Sequence, residues 1–315
     1  MKKLILICLS LLLILAAVPG CAEKPSVSVK IGLAAPKATH GWVSGVAYSA
    51  LKYCVEENLE HRFTQSGDKA EMEENLEDLA AWGADVIVLW PQWAGMEDAV
   101  NSLIARGIRV VAFDVDIPSD GIYHITGDNY DIGYQSAKTI AGRVNSGDPI
   151  VLADRPASAS VSELRKAGFY AYLEEIGFDS SNVFEYAVEE FTREEGQKLM
   201  EQAMAEHETI RAVYSLDDEL SIGILQAVKD AGRTDVGTIT GCGGMQEYFR
   251  LIADEANAPF GLCTTLYSPA MVADAIRLGI ELCSGKESEF FVNIPTTVVT
   301  PENVSGYIDP ENTKY

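Results

Sequence analysis

From residue 29 onward, short apolar runs alternate with longer stretches in which apolar residues recur every three or four positions. The runs at residues 29–34, 85–90 and 108–114 have the length and composition of buried strands, and residues 42–57 have helical spacing. The alternation is typical of strand–helix–strand units, which form parallel sheets.

A second series of elements follows the first along the chain. Its predicted helices lie near residues 130–144, 162–176, 192–206 and 219–231, and its predicted strands lie near 150–153, 183–188, 212–215 and 238–240. A chain of 315 residues that is 47% hydrophobic exceeds the size at which one core usually gives way to two. The pattern predicts an α/β fold with two similar, doubly wound parallel-sheet lobes. No flexible linker separates them, so a hinge of extended crossover segments is expected.

The first residues have the pattern of an export signal. Lys2 and Lys3 precede an apolar run at residues 4–18, which is followed by Pro19, Gly20 and Cys21. The run is shorter than the roughly 20 residues that a membrane-spanning helix needs, so residues 1–20 are predicted to be a cleaved signal peptide. Residues 18–21 resemble a bacterial lipobox, which implies that Cys21 carries lipid and that residues 21–28 form a tether. The alternative is an ordinary secretory signal, in which Cys21 has no such role.

Charge and cysteine content narrow the possible partners. A net charge of −23 disfavours nucleic acid, whose phosphates require Lys and Arg, and disfavours broad contact with anionic lipid. Cys54, Cys242, Cys263 and Cys283 form no Cys-x-x-Cys pair, so either one disulfide or buried free thiols fit the sequence. The four histidines include no pair at metal-ligand spacing, so neither a metal nor a cofactor is predicted.

Four short motifs, in order and spacing, resemble the ribose- and galactose-binding family of periplasmic proteins. They are Asp128-Asn129-Tyr130-Asp131-Ile132-Gly133, Arg165-Lys166-Ala167-Gly168-Phe169, Leu216-Asp217-Asp218-Glu219 and Ser268-Pro269-Ala270-Met271. The resemblance implies the type I periplasmic binding protein fold, with residues 29–129 and 268–294 in one lobe and 130–267 and 295–315 in the other. It also implies that Gly133 packs against a sheet and that Arg165 points into the cleft.

The same resemblance implies a small polar, sugar-like ligand, an ABC transporter permease as partner and a monomeric protein. Together with the export signal, it implies an extracytoplasmic location, either periplasmic or lipid-anchored to the cell membrane. Two departures from the family affect the ligand. Val115 stands where many members have Arg, and Gly243 stands where they have Asp, so a common pentose or hexose pose is not expected.

Candidate ligand-binding residues follow from a rule for open α/β sheets, in which ligands lie beyond the carboxyl ends of the strands. A sugar presents apolar faces and a ring of hydroxyls, so its pocket needs aromatic walls with polar groups around them. The candidates are His40, Trp42, Trp90, Gln92, Asp114, Arg165, Phe191, Asp217 and Tyr267. Each also has a structural alternative, because strand-end Asp often caps a helix and strand-end Trp is often core.

Two alternative functions remain open at this point. Doubly wound lobes also host enzymes, although the chain contains no Gly-x-Ser-x-Gly, no phosphate-binding Gly-x-x-x-x-Gly-Lys loop and no His-Glu-x-x-His. A sensory binding protein that signals to a receptor kinase would use the same chemistry as one that serves a permease. The sequence therefore predicts a solute-binding protein rather than an enzyme, with the sensor and a hydrolytic enzyme as the alternatives.

Overall fold

A computed structural model describes residues 29–38 and 41–311 of the chain. In chain order its helices and strands are β1 (Lys30–Pro36), α1 (Gly41–Glu56), β2 (Glu60–Ser66), α2 (Lys69–Trp82), β3 (Val86–Leu89), α3 (Glu97–Ala105), β4 (Arg109–Phe113), β5 (Tyr123–Gly127), α4 (Asn129–Ala141), β6 (Ile150–Asp154), α5 (Ser160–Glu175), β7 (Val183–Ala187), α6 (Arg193–Glu206), β8 (Ala212–Ser215), α7 (Asp218–Asp230), β9 (Thr238–Gly243), α8 (Gln246–Ala253), β10 (Cys263–Leu266), α9 (Val272–Cys283), β11 (Phe291–Ile294) and β12 (Val298–Val299).

Two six-stranded sheets organise the fold. The first has the order β11-β5-β4-β3-β1-β2, and all of its strand pairs are parallel. The second has the order β12-β10-β9-β8-β6-β7, and its strands are parallel except for the short β12. Central strands such as β3, β6 and β8 are buried along their whole length, as expected for sheets covered by helices on both faces. The α/β fold class predicted from the sequence is confirmed.

Within the described residues, the chain passes between the two sheets three times. The first passage leads from β5 to α4, the second from β10 through a short 3-10 helix at Pro269–Met271 to α9, and the third from β11 to β12. Three separate connections restrict relative motion of the sheets more than one tether would, and they suit a hinge.

Close contact between α4 and α5 fixes the start of the second lobe's helical layer. A Cβ atom on Gly133 would lie 2.8 Å from the backbone nitrogen of Phe169, and one on Gly168 would lie 3.0 Å from that of Tyr134. Both glycines are therefore needed for the two helix backbones to approach each other. This corrects one expectation, because Gly133 packs against α5 rather than against a sheet. The contact also sets the position of Arg165 on α5.

The described residues contain four cysteines, all free, and no membrane-spanning helix. No helix within residues 29–38 and 41–311 is long and apolar enough to cross a bilayer. Cys54, Cys242 and Cys263 are buried free thiols, and Cys283 is a half-buried one. The predicted signal peptide and Cys21 lie outside the described residues.

Candidate functional site

The carboxyl ends of strands from both sheets surround one cavity. Eight of the nine predicted residues line it, namely Trp42, Trp90, Gln92, Asp114, Arg165, Phe191, Asp217 and Tyr267. The ninth, His40, lies outside the described residues. Each of the eight is on the chain segment that follows a strand's carboxyl end, so the sheet topology explains why they converge.

Aromatic side chains form the wall of the cavity on the side of the first sheet. The Trp42 and Trp90 rings meet edge to face with centroids 5.2 Å apart, and Trp42 stacks on Tyr267 at 5.3 Å. The indole nitrogen of Trp42 donates a hydrogen bond of 2.6 Å to the backbone oxygen of Tyr267. The three rings are buried, and the hydrogen bond fixes the first of them in the wall.

Asp114 lies at the end of β4 with a backbone φ of 71°, a region that residues other than glycine seldom adopt. Its Oδ2 accepts a hydrogen bond of 3.0 Å from the indole nitrogen of Trp90, and its Oδ1 accepts one from the Tyr267 hydroxyl. Burial raises the pKa of Asp114 to about 6, although these hydrogen bonds and the Arg165 charge oppose the shift. Both carboxylate oxygens therefore have partners within the protein.

Arg165 connects the second lobe to the first passage between the sheets. Its Nε donates to the side-chain oxygen of Asn129 at 2.9 Å, and its Nη1 donates to the backbone oxygen of Leu216 at 2.7 Å. The guanidinium carbon lies 4.6 Å from the centre of the Tyr267 ring, within cation–π range. The buried arginine is thus held in place from three sides at the edge of the cavity.

The Asp217 side chain caps helix α7 and also lines the cavity. Its Oδ1 caps α7 by accepting hydrogen bonds from the backbone nitrogens of Glu219 at 2.7 Å and Leu220 at 3.4 Å. Burial, and then the neighbouring Asp218, raises the pKa of Asp217 well above its usual range. The cap predicted as the structural alternative is present, and the same side chain also lines the cavity.

Asp218, by contrast, supports the site without lining it. Its carboxylate accepts hydrogen bonds from the backbone nitrogens of Gly244 at 2.7 Å and Met245 at 2.8 Å, and from the Thr264 hydroxyl at 2.7 Å. Burial raises its pKa to about 6. These bonds hold the turn that directly follows Gly243, the last residue of β9, and Gly243 lines the cavity.

Sequence reasoning missed several residues of the second lobe that line the cavity. They are Arg155, Ala157, Ser158, Ala159, Val161 and Cys242. Arg155 donates from Nε to the Glu189 backbone oxygen at 2.7 Å and from Nη2 to Glu190 at 3.1 Å, and its guanidinium lies 5.8 Å from the Phe191 ring centre. Because Arg155 directly follows β6, the strand-end rule used for the other candidates would have found it.

The volume of the cavity limits the size of the molecule that it can hold. About 80 Å³ is open to the centres of water molecules, and roughly 10–15 Å³ on this measure is enough for one water. The space suits a small molecule rather than a polymer. Within residues 29–38 and 41–311, no group of three or more His, Cys, Asp or Glu residues is arranged to hold a metal ion.

Known proteins resemble this chain over most of its length. The family described as periplasmic binding protein domain matches residues 31–287. The ribose import binding protein of Bacillus subtilis is 23% identical over 236 residues, which cover 74% of each chain. The galactofuranose-binding protein of Escherichia coli is 25% identical over 278 residues, which cover 83% of this chain and 86% of that one.

A solved structure has the same fold across almost its entire chain. The ABC transporter solute-binding protein of Mycobacterium smegmatis with bound glycerol superposes with a TM-score of 0.79 at 22% identity, covering 91% of this chain and 99% of that one. The family match includes all of the residues that line the cavity and ends before the edge strands β11 and β12. The chain therefore belongs to the periplasmic binding protein family.

Proposed function

We propose that this protein captures a small, sugar-like ligand between its two lobes and delivers it to an ABC transporter. The observation that carries the proposal is the convergence of aromatic and hydrogen-bonding side chains from both sheets on one cavity. The names of the similar proteins, which specify ribose, galactofuranose and an ABC transporter, support the same ligand class and partner.

The chemistry of the cavity favours a polyhydroxyl compound with an apolar face. Trp42 and Trp90 on one side and Phe191 on the other can sandwich such a face, and Arg165, Gln92 and Asp217 are donors and acceptors at the rim. Arg165 is already committed to Asn129 and Leu216 through two of its nitrogens, so it is pre-organised rather than free to follow a large anion.

Closure of the lobes follows from the way the contacts are divided. We assign residues 29–129 and 268–294 to the first lobe and residues 130–267 and 295–315 to the second. A ligand shifts the hinge only by its extra affinity for the closed state, so it must contact both lobes at once. Trp42 and Trp90 belong to the first lobe and Arg165 and Phe191 to the second, which meets that requirement. The closed form would then dock on the permease.

Membership of the family implies an extracytoplasmic location. Within that location, we propose that Cys21 carries the lipid anchor and that residues 21–28 connect it to a monomeric binding domain. Two acyl chains would give stable attachment, whereas a single chain gives only marginal attachment. Replacing Cys21 with Ser should move the exported protein from the membrane fraction to the soluble fraction. An unchanged membrane fraction would contradict the anchor without affecting the binding proposal.

A thermal-shift panel of pentoses, hexoses, furanosides and cyclitols tests the binding proposal. A ligand at one hundred times its dissociation constant stabilises the native state by about 2.7 kcal/mol, which corresponds to a rise in Tm of several degrees for a chain of this size. One chemical class should give that rise, and the other classes at equal concentration serve as the control for solvent effects. No response to any compound, together with turnover of an ester or phosphate, would replace the binding proposal with the enzymatic alternative.

A further inference from the structure

Tyr267 lines the cavity, yet its side chain is almost completely buried among protein groups. Its ring lies between the Trp42 indole, 5.3 Å away, and the Arg165 guanidinium, 4.6 Å away. Only 4% of the residue is exposed. The ring therefore fills space at the hinge end of the cavity that a smaller residue would leave to the ligand.

The hydroxyl of Tyr267 has three polar partners. It donates to Oδ1 of Asp114, lies 2.9 Å from the Thr126 hydroxyl, and lies 3.4 Å from the side-chain nitrogen of Asn129. Trp90 occupies the other oxygen of Asp114 at 3.0 Å. Sugar hydroxyls are bound by such carboxylate and amide groups, and here a protein hydroxyl occupies a position on Oδ1 of Asp114 that a sugar hydroxyl could take.

A glycine makes this arrangement possible. A Cβ atom at Gly127, on the first passage between the sheets, would lie 2.5 Å and 2.6 Å from two carbons of the Tyr267 ring. No real Cβ tolerates such distances, so any larger residue at this position would displace the ring. Gly127 and Tyr267 thus depend on each other, although they are far apart in the chain.

We propose that Tyr267 is the residue that determines ligand specificity, because its hydroxyl takes the place of a ligand hydroxyl at Asp114. The inference rests on the proposed function and sharpens its ligand class. With Tyr267 in place, aromatic rings surround Asp114 at the cavity, and each of its carboxylate oxygens already accepts a hydrogen bond from one of them. The preferred ligand therefore has an apolar or deoxy face toward Tyr267, and Asp114 is a positioning residue that holds Trp90 and Tyr267.

Matched sugar pairs that differ by one hydroxyl test this role. The probes are D-ribose with 2-deoxy-D-ribose, and D-galactose with its 2-deoxy and 6-deoxy forms, titrated by calorimetry into the wild type, Tyr267→Ser and Tyr267→Phe. The Ser variant removes the ring and frees Asp114, whereas the Phe variant keeps the ring volume and removes only the hydroxyl. In Tyr267→Ser at least one pair should change its affinity ratio by about tenfold or more in favour of the hydroxylated sugar, since hydrogen bonds to charged groups have that effect. Tyr267→Phe should change the ratios much less, because its ring still keeps the ligand away from Asp114.

Gly127→Ala provides an independent route to the same displacement, because it pushes the ring without altering Tyr267. Its affinity ratios should change in the same direction as those of Tyr267→Ser. Ratios that stay within twofold of wild type in every variant with an intact thermal transition would overturn the specificity role while leaving sugar binding intact. Absence of binding by any sugar to wild type or variants would instead remove the proposed function, and this inference with it.

Discussion

Replacement of Asp217 with Ser separates its role as the cap of α7 from its proposed role in ligand binding. A Ser side chain retains an oxygen that can accept from the nitrogens of Glu219 and Leu220, so the cap of α7 is preserved. It removes the second carboxylate oxygen and the negative charge. Binding should therefore suffer while the helix cap does not.

The magnitudes follow from the environment of the carboxyl group. Loss of the Asp217 carboxyl oxygen leaves a buried ligand hydroxyl without its partner, which costs about 1–3 kcal/mol, or roughly a 5- to 150-fold rise in Kd. The free energy of unfolding of the ligand-free protein should not fall, because burial and the neighbouring Asp218 already disfavour the charged form of Asp217. A variant that is equally stable and binds less tightly is the expected signature of a site residue.

Calorimetric titration with the sugar found in the panel, together with urea denaturation, measures both effects. Asp68→Ser is the matched control, because Asp68 also caps a helix, by accepting from the Glu71 backbone nitrogen at 2.9 Å, but does not line the cavity. The control should bind like wild type. A Kd for Asp217→Ser within threefold of wild type would refute the ligand contact and leave Asp217 as a cap alone.

Three further results are expected. The buried Asp114 carboxyl, whose pKa is raised to about 6, keeps its proton between about pH 4 and pH 6 while the unfolded chain loses it, so the free energy of unfolding falls as pH rises through that window. Asp114→Asn should remove about 3 kcal/mol of that fall, measured by urea denaturation at several pH values, and an unchanged fall would contradict the raised pKa. Gly168→Ala should lower the free energy of unfolding by about 1–3 kcal/mol, because the added methyl group would strike the Tyr130 backbone. The control Gly306→Ala, where the added methyl group meets open space, should change the free energy of unfolding little, and equal effects of the two variants would refute the packing argument. Burial raises the pKa of Cys242 to about 11, so this thiol should react with a disulfide reagent only after unfolding, and rapid labelling of the native protein would contradict its burial.

Periodicity alone was enough to predict the buried strands and the helices between them, because both carry strong apolar patterns. Strand β2 was not predicted. Glu60–Ser66 is an edge strand whose residues are mostly polar and whose positions are mostly exposed or half-buried, so it has no strong apolar pattern. Strands β5 and β10 were also missed. Each is only four or five residues long and contains polar residues among its apolar ones, so periodicity does not distinguish it as a strand.

The site was predictable as far as the strand-end rule was applied. It led to Trp90, Asp114 and Asp217, and it would have led to Arg155 after β6. What the sequence could not reveal is how the side chains pair with one another. The bond between Asp114 and Tyr267 joins residues 153 positions apart, and no local pattern encodes it.

The same limit applies to the helix contact. Gly133 was expected to face a sheet, but its neighbours are backbone atoms of α5. The expectation was wrong because a small residue at that position is equally consistent with packing against a sheet and against a helix. Only the packed arrangement of α4 and α5 distinguishes them. This contact matters for function, since it determines where Arg165 meets the cavity.

Intrinsic fluorescence tests the central claim, ligand capture between the lobes, most directly. The chain has four tryptophans, of which Trp42 and Trp90 line the cavity while Trp82 and Trp93 do not. The double variant Trp82→Phe/Trp93→Phe therefore reports from the cavity alone when titrated with the sugar panel. At least one sugar should produce a saturable change with one site per chain, and the absence of a saturable change with every sugar in the panel would contradict the claim.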